Sequence, residues 1–105
     1  MIAENMPGAY RVKIRYFASI RTAAGKSEEE LAVPAGYTIY ALLKLLSINY
    51  GEAFSEEVFR QTADGLRDDV IVSINGVITD CERVKNAMVA DGSVIDLFTT
   101  FPGGG

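Results

Sequence analysis

A chain of 105 residues, 49% of them apolar and 23% charged, can bury one modest hydrophobic core but not two, which excludes a multidomain enzyme. A net charge of −4 argues against a nucleic-acid binder, which needs clustered Lys and Arg to neutralise phosphates, and suits a basic protein partner instead. The absence of histidine removes the usual general base near neutral pH and the commonest metal ligand, and with them any Ser-His or Cys-His hydrolase scheme.

No apolar run approaches the roughly 20 residues that a membrane-spanning helix needs. The opening MIAENMPGAY lacks the basic start and apolar stretch of a secretory signal, so a cytoplasmic location is expected and residues 1–10 read as a flexible lead-in. The single cysteine, Cys81, can form no internal disulfide and fits a reducing compartment.

Residues 11–17 alternate, with Val12, Ile14 and Tyr16 on one side and Arg11, Lys13 and Arg15 on the other, which predicts a half-buried strand. Residues 18–27 carry AAGKS and read as a turn, and residues 28–33 alternate again with Leu31 and Val33 facing in, which completes a hairpin before Pro34-Ala35-Gly36. The run Glu28-Glu29-Glu30 is expected to be a solvated strand edge. Thr38 is placed to cap a helix through Ile39, Leu42, Leu43, Leu45 and Leu46, which ends near Gly51. A short second helix is expected over 55–59, and a turn at Asp64-Gly65.

The β-branched residues 70–74, followed by Asn75-Gly76 and then Val77-Ile78, predict a tight hairpin, because both turn residues tolerate positive φ. Residues 83–89 are polar with a few apolar anchors and fit a short turn of helix. After Asp91-Gly92, residues 94–100 form the last strand, with Ile95 and Leu97 on one face and Asp96 and Phe98 on the other. The order strand, strand, helix, strand, short strand, strand fits an α+β ubiquitin-like β-grasp, a mixed sheet of four to five strands packed on one main helix. A split βαβ arrangement also has this start, but it needs a second long helix that 83–89 is too short and polar to supply. The β-grasp domain is thus expected over 11–100 and an extended glycine tail over 101–105.

That tail, Phe101-Pro102-Gly103-Gly104-Gly105, permits two readings. Terminal glycines fray at little cost. They also let a bare backbone thread a narrow channel into a partner's active site, with the carboxylate of Gly105 at its end. A carboxylate is a poor acyl donor, but attack of its oxygen on the α-phosphate of ATP makes an acyl-adenylate that sulfur can displace to leave a thiocarboxylate. The activation would be done by another protein. Gly25-Lys26-Ser27 is no phosphate loop, because Ile20 stands where its first glycine must be.

The segments KIRYFASIRTAAGK, VPAGYTIYALLKLL, VIVSINGVI and ADGSVIDLFTTFPGGG resemble, in order and spacing, the MoaD/ThiS family of ubiquitin-like sulfur carriers, and most of all its molybdopterin synthase small-subunit side. The resemblance runs from Lys13 to the end of the sequence. It implies a carrier, not a catalyst, with no bound cofactor. Its terminal glycine would be adenylated with ATP by an E1-like activating enzyme of the MoeB/ThiF type and loaded as a thiocarboxylate. The sulfur would pass to a larger molybdopterin synthase-type subunit, or to another acceptor in thiamine, cysteine or tRNA thiolation; some archaeal relatives are also conjugated to lysines, so a ubiquitin-like modifier joined to lysines through Gly105 is the alternative. Gly105 is then the attachment residue, with Gly103 and Gly104 in the active tail. Family tails usually end in two glycines, whereas here Gly103 directly follows Pro102. Residues 48–68 are also longer than in the shortest members, which favours the MoaD-like or archaeal-modifier type over ThiS.

If Val12, Ile14 and Tyr16 face the helix, then Phe17, Ile71 and Phe98 share the opposite face of the sheet, where an exposed apolar patch beside the tail would dock a partner. Phe101 and Pro102 are expected to steer the tail off the sheet, with Phe101 touching the partner. The basic stripe Arg11, Lys13, Arg15 reads as solvation of an exposed strand, with Arg21 a candidate at a partner surface. Cys81 reads as an incidental thiol.

Overall fold

The structure is a computed structural model that describes residues 9–61 and 65–99. Its elements are β1 (Ala9–Tyr16), α1 (Ala18–Ala24), β2 (Glu28–Pro34), α2 (Ile39–Tyr50), α3 (Glu52–Val58), β3 (Val70–Ile74), β4 (Val77–Thr79), α4 (Cys81–Asn86) and β5 (Val94–Thr99). The strands form one mixed sheet in the order β2-β1-β5-β3-β4. β1 and β5 run parallel at its centre, with Lys13 opposite Val94 and Tyr16 opposite Leu97, and the other neighbours are antiparallel. This is the expected α+β β-grasp.

The three inner strands β1, β5 and β3 each bury one side, as the period of two requires. Val12, Ile14 and Tyr16 of β1, Ile95 and Leu97 of β5, and Val70 and Val72 of β3 are buried against Ile39, Leu42, Leu43 and Leu46 of α2. Complete burial of each aliphatic side chain contributes about 1.5–3 kcal/mol, and this shared interface is what fixes α2 on the sheet. The Thr38 hydroxyl accepts from the Ala41 N–H at 3.0 Å, which caps α2 as the sequence predicts.

Several expectations are corrected. Residues 18–24, read as a turn, form the helix α1, whose buried side chains are Ile20 and Ala24, with Ala23 partly buried beside them. A seven-residue helix has no independent stability, and this one exists because those two side chains reach the core while Gly25, at φ 79°, closes it with an N–H to the Arg21 carbonyl. α3 starts at Glu52 rather than 55, and α4 begins at Cys81 because the Asp80 carboxylate accepts from the Arg83 N–H at 2.8 Å. β1 begins two residues before the expected domain start, with Ala9 opposite Pro34 and Tyr10 opposite Val33. The expected lead-in up to residue 8, Asp64 of the Asp64-Gly65 turn, Thr100 and the tail over 101–105 lie outside the described residues.

The acidic run is also not uniformly solvated. Glu28 and Glu30 point outward, but Glu29 lies on the same side as Leu31 and Val33, and its carboxylate accepts from the hydroxyls of both Tyr16 and Tyr50. Lys26 pairs with Glu29 at 3.4 Å and stands 5.4 Å from the Tyr50 ring centre, so the GKS letters serve the fold. Burial, and then the Glu29 carboxylate, push the Tyr16 hydroxyl far above the ordinary tyrosine range; Tyr50 is shifted the same way, again mainly by burial.

Candidate functional site

The sheet face away from α2 carries the alternate residues of each strand, and it is most apolar where β5 ends. Phe98, near the end of β5, lies opposite Ile71 of β3. On its other side the Phe17 ring approaches Phe98 edge-on, with centroids 5.8 Å apart and planes at 80°, a favourable T-shaped geometry. Phe17 is held there by its N–H, which donates to the Leu97 carbonyl at 3.0 Å and so extends the β1–β5 ladder by one residue. Phe17 is 42% exposed, and Ile71 and Phe98 are half-buried. The three residues that periodicity assigned to one surface are therefore neighbours on it.

One residue pair further from the end of β5, the same face carries Arg15, Asp96, Ser73 and Ile78 in successive strands. Arg15 donates Nε to Asp96 Oδ1 at 2.6 Å and Nη2 to Asp96 Oδ2 at 2.9 Å, a two-point contact that matches the flat guanidinium to the carboxylate. Hydrogen bonding to Asp96, and then its charge, raise the Arg15 guanidinium above its already high range. Lys13 pairs with Glu28 at 3.5 Å. Lys13 and Arg15 of the basic stripe are thus matched by acids from β2 and β5, on a chain whose net charge is −4.

Sequence reasoning missed two contributors. Ile78 is 68% exposed on the edge strand β4 and continues the apolar surface diagonally from Ile71. Its only signal was its place after the Asn75-Gly76 turn, which says nothing about the face it takes. Asp96 was assigned to this face, but its bond to Arg15 depends on the parallel β1–β5 pairing and had no local sign. Arg21 lies exposed on α1, away from any described ion pair, and Cys81 is half-buried against the core. Phe101, Pro102, Gly103, Gly104 and Gly105 lie outside the described residues. No described helix is long and apolar enough to cross a membrane.

Comparison with known proteins agrees with this architecture. No curated protein matches the sequence. Among solved structures, a Pyrococcus furiosus protein provisionally named molybdopterin converting factor subunit 1 is 31% identical, with a TM-score of 0.68 over 88% of this chain and 99% of that one. Small archaeal modifier protein 1 of Haloferax volcanii superimposes with a TM-score of 0.73 at 22% identity, over 88% of this chain and 99% of its own. Urm1 of Trypanosoma brucei gives 0.69 at 23% identity, over 93% and 99%. The last two show the shared fold. The sequence profile of the ThiS family matches residues 14–104, so the chain belongs to the ThiS family of ubiquitin-like sulfur carriers.

Proposed function

We propose that the chain is a sulfur carrier whose working group is the carboxylate of Gly105, and that it supplies the sulfur of molybdopterin. The observation that carries this reading is the order of parts. The family match ends at Gly104, within the run Gly103-Gly104-Gly105, which follows in sequence a strand whose end is flanked by the apolar surface of Phe17, Ile71 and Phe98. The molybdopterin assignment is supported by the relative at 31% identity.

In this reading an E1-like enzyme of the MoeB/ThiF type docks on Phe17, Ile71 and Phe98, with Phe101 and Pro102 leading the tail into its active site. The Gly105 carboxylate attacks the α-phosphate of ATP, pyrophosphate leaves, and an acyl-adenylate forms. A sulfide-equivalent nucleophile attacks the acyl carbon, AMP leaves, and the thiocarboxylate remains on Gly105. A larger synthase-type subunit takes the same tail and removes the sulfur. The carrier contributes the reacting end and the surfaces that direct it; the ATP belongs to the activating partner.

Intact-mass analysis of the protein from its own cells, with mapping of the C-terminal peptide, tests this. A gain of about 16 Da at Gly105, sulfur for oxygen, is the expected result. Branched peptides carrying Gly104-Gly105 on lysines would instead assign the protein to lysine modification. A tail still unmodified after incubation with ATP, an E1-like enzyme and a sulfur donor would reject both.

A further inference from the structure

The sheet has two outer strands, β2 and β4, and they are built differently. An outer strand leaves backbone N–H and C=O groups without a neighbour, and charged side chains or a proline usually guard it. β2 is guarded in this way, by the exposed Glu28 and Glu30 and by Pro34 at its end. β4 is Val77-Ile78-Thr79, without charge or proline, and its Val77 and Ile78 are 66% and 68% exposed. Consecutive strand residues point to opposite faces, so β4 is bare on both.

The register decides which backbone groups of β4 face outward. The Asn75 N–H donates to the carbonyl of Val94, the first residue of β5, so Ser73 and Asn75 turn their backbone groups to β5 while Val72 and Ile74 turn theirs to β4. Thr79 and Val77, opposite Val72 and Ile74, are therefore bonded inward, and Ile78, opposite Ser73, presents its N–H and C=O at the edge of the sheet. Among the described residues nothing takes these two groups. The Ile78 side chain lies on the open face, diagonal to Ile71, and carries the surface of Phe17, Ile71 and Phe98 out to that edge.

We propose that β4 is a strand-addition site: an extended segment of the activating enzyme pairs with Ile78 while the enzyme covers the surface of Phe17, Ile71 and Phe98. This assignment rests on the sulfur-carrier reading. One residue of the segment exchanges two hydrogen bonds with Ile78. Its side chain is apolar, because it lies beside Ile78 on the open face, and the residues flanking it are β-branched or aromatic, because they meet Val77 on the other face. A second copy of this chain fits the edge less well. Two β4 strands paired about Ile78 would share two hydrogen bonds and a few small side chains, well short of the roughly 1,000 Å² that a specific interface buries. Beside a surface that the enzyme already covers, the same two bonds need only add to the contact.

Amide hydrogen exchange and substitution at this one position test the proposal. Saturating E1-like enzyme from the same cells is expected to slow exchange of the Ile78 amide at least about tenfold, and that of Val77, already bonded to Ile74, by much less. In ATP–pyrophosphate exchange with that enzyme, Ile78→Ala, which keeps the N–H, is expected to raise the KM for the carrier about two- to threefold. Ile78→Pro, which removes the N–H where it faces away from β3, is expected to raise it about tenfold or more, with kcat within about twofold. An Ile78 amide that exchanges as fast in the complex as in the free protein overturns the proposal, whether or not Ile78→Pro folds. A folded Ile78→Pro with a KM no higher than that of Ile78→Ala also overturns it. Protection of Ile78 that grows with the concentration of the free protein, with sedimentation as a dimer, would give the edge to a second copy instead. Wild-type protein that neither binds the enzyme nor supports exchange defeats the carrier reading and this proposal with it, whereas binding without protection of Ile78 defeats the proposal alone.

Discussion

Phe17 and Phe98 meet edge-on, 5.8 Å apart, across the junction of the parallel strands β1 and β5, immediately before the residues that lead to the glycine tail. Their inner neighbours Tyr16 and Leu97 are completely buried, so the two rings rest on a fixed base while their own surfaces remain open. A rigid apolar pair presented this way suits docking better than stabilising, and the two roles separate under mutation.

Phe98→Ala should therefore cost about 1–2 kcal/mol in folding stability, because the ring is only half-buried. Its affinity for the activating enzyme should fall about tenfold or more, as expected for an aromatic anchor at the centre of an interface. Urea unfolding and the carrier KM in pyrophosphate exchange check the two halves. A stability loss with unchanged KM would remove Phe98 from the docking surface.

The same face should bind with little dependence on salt. Its charges are already matched within the chain, Arg15 to Asp96 and Lys13 to Glu28, so few are left to attract a partner across water. Between about 50 and 500 mM salt the carrier KM should change by no more than about twofold. Asp96→Asn frees the Arg15 charge and should make the KM salt-dependent, while stability falls by about 1–2 kcal/mol, because the Asp96 side chain is only 13% exposed and loses a part-buried two-point contact. A steep salt dependence in the wild type would instead show that the excess acid elsewhere on the chain carries the docking.

Alkaline stability should depend on Tyr16. Its hydroxyl is raised by burial first and by Glu29 second, so the folded state keeps a proton that the unfolded state releases near pH 10. The stabilisation is complete below that pH and is lost as pH rises towards the folded value, at about 1.4 kcal/mol per pH unit for each proton retained. Tyr50 and Lys26 are raised too and act in the same direction. Urea unfolding between about pH 9 and 11.5 should show a steeper decline for the wild type than for Tyr16→Phe, by about one proton. Equal slopes would mean that Tyr16 ionises as readily folded as unfolded.

Asn75 does more than turn the β3–β4 hairpin. Its N–H donates to the Val94 carbonyl and its Oδ1 accepts from the Val94 N–H, both at 2.8 Å, so it pins the start of β5 while holding φ at 52°. Asn75→Gly keeps the conformation and loses the side-chain bond, for a cost of about 1 kcal/mol. Asn75→Ala loses the bond and strains the backbone, for about 2–3 kcal/mol. Equal losses by chemical denaturation would show that the left-handed conformation is not what selects asparagine here.

Much of this was legible because strand and helix periods are local. Alternation in β1 placed Val12, Ile14 and Tyr16 inward and Phe17 outward, and the leucine spacing of α2 gave its buried side. α1 was not legible, since Ile20 and Ala24 alone make too weak a pattern and its stability comes from the elements it meets. Glu29 was misjudged for a related reason. It was read with its neighbours as a solvated edge, because an isolated glutamate facing inward is unfavourable until Tyr16 and Tyr50, from β1 and the end of α2, supply the hydroxyl donors.

The sequence by itself determined the β-grasp order, the inner and outer faces of its strands, and the glycine-rich ending that follows β5. The tertiary structure alone decided which outward residues become neighbours. Phe17 meets Phe98, and Arg15 meets Asp96 across 81 positions of chain, only because β1 and β5 pair in parallel at one register. Local periods fix the direction of each side chain, but the register between distant strands is set by the whole core closing at once, when one residue's slip would turn every buried side chain outward.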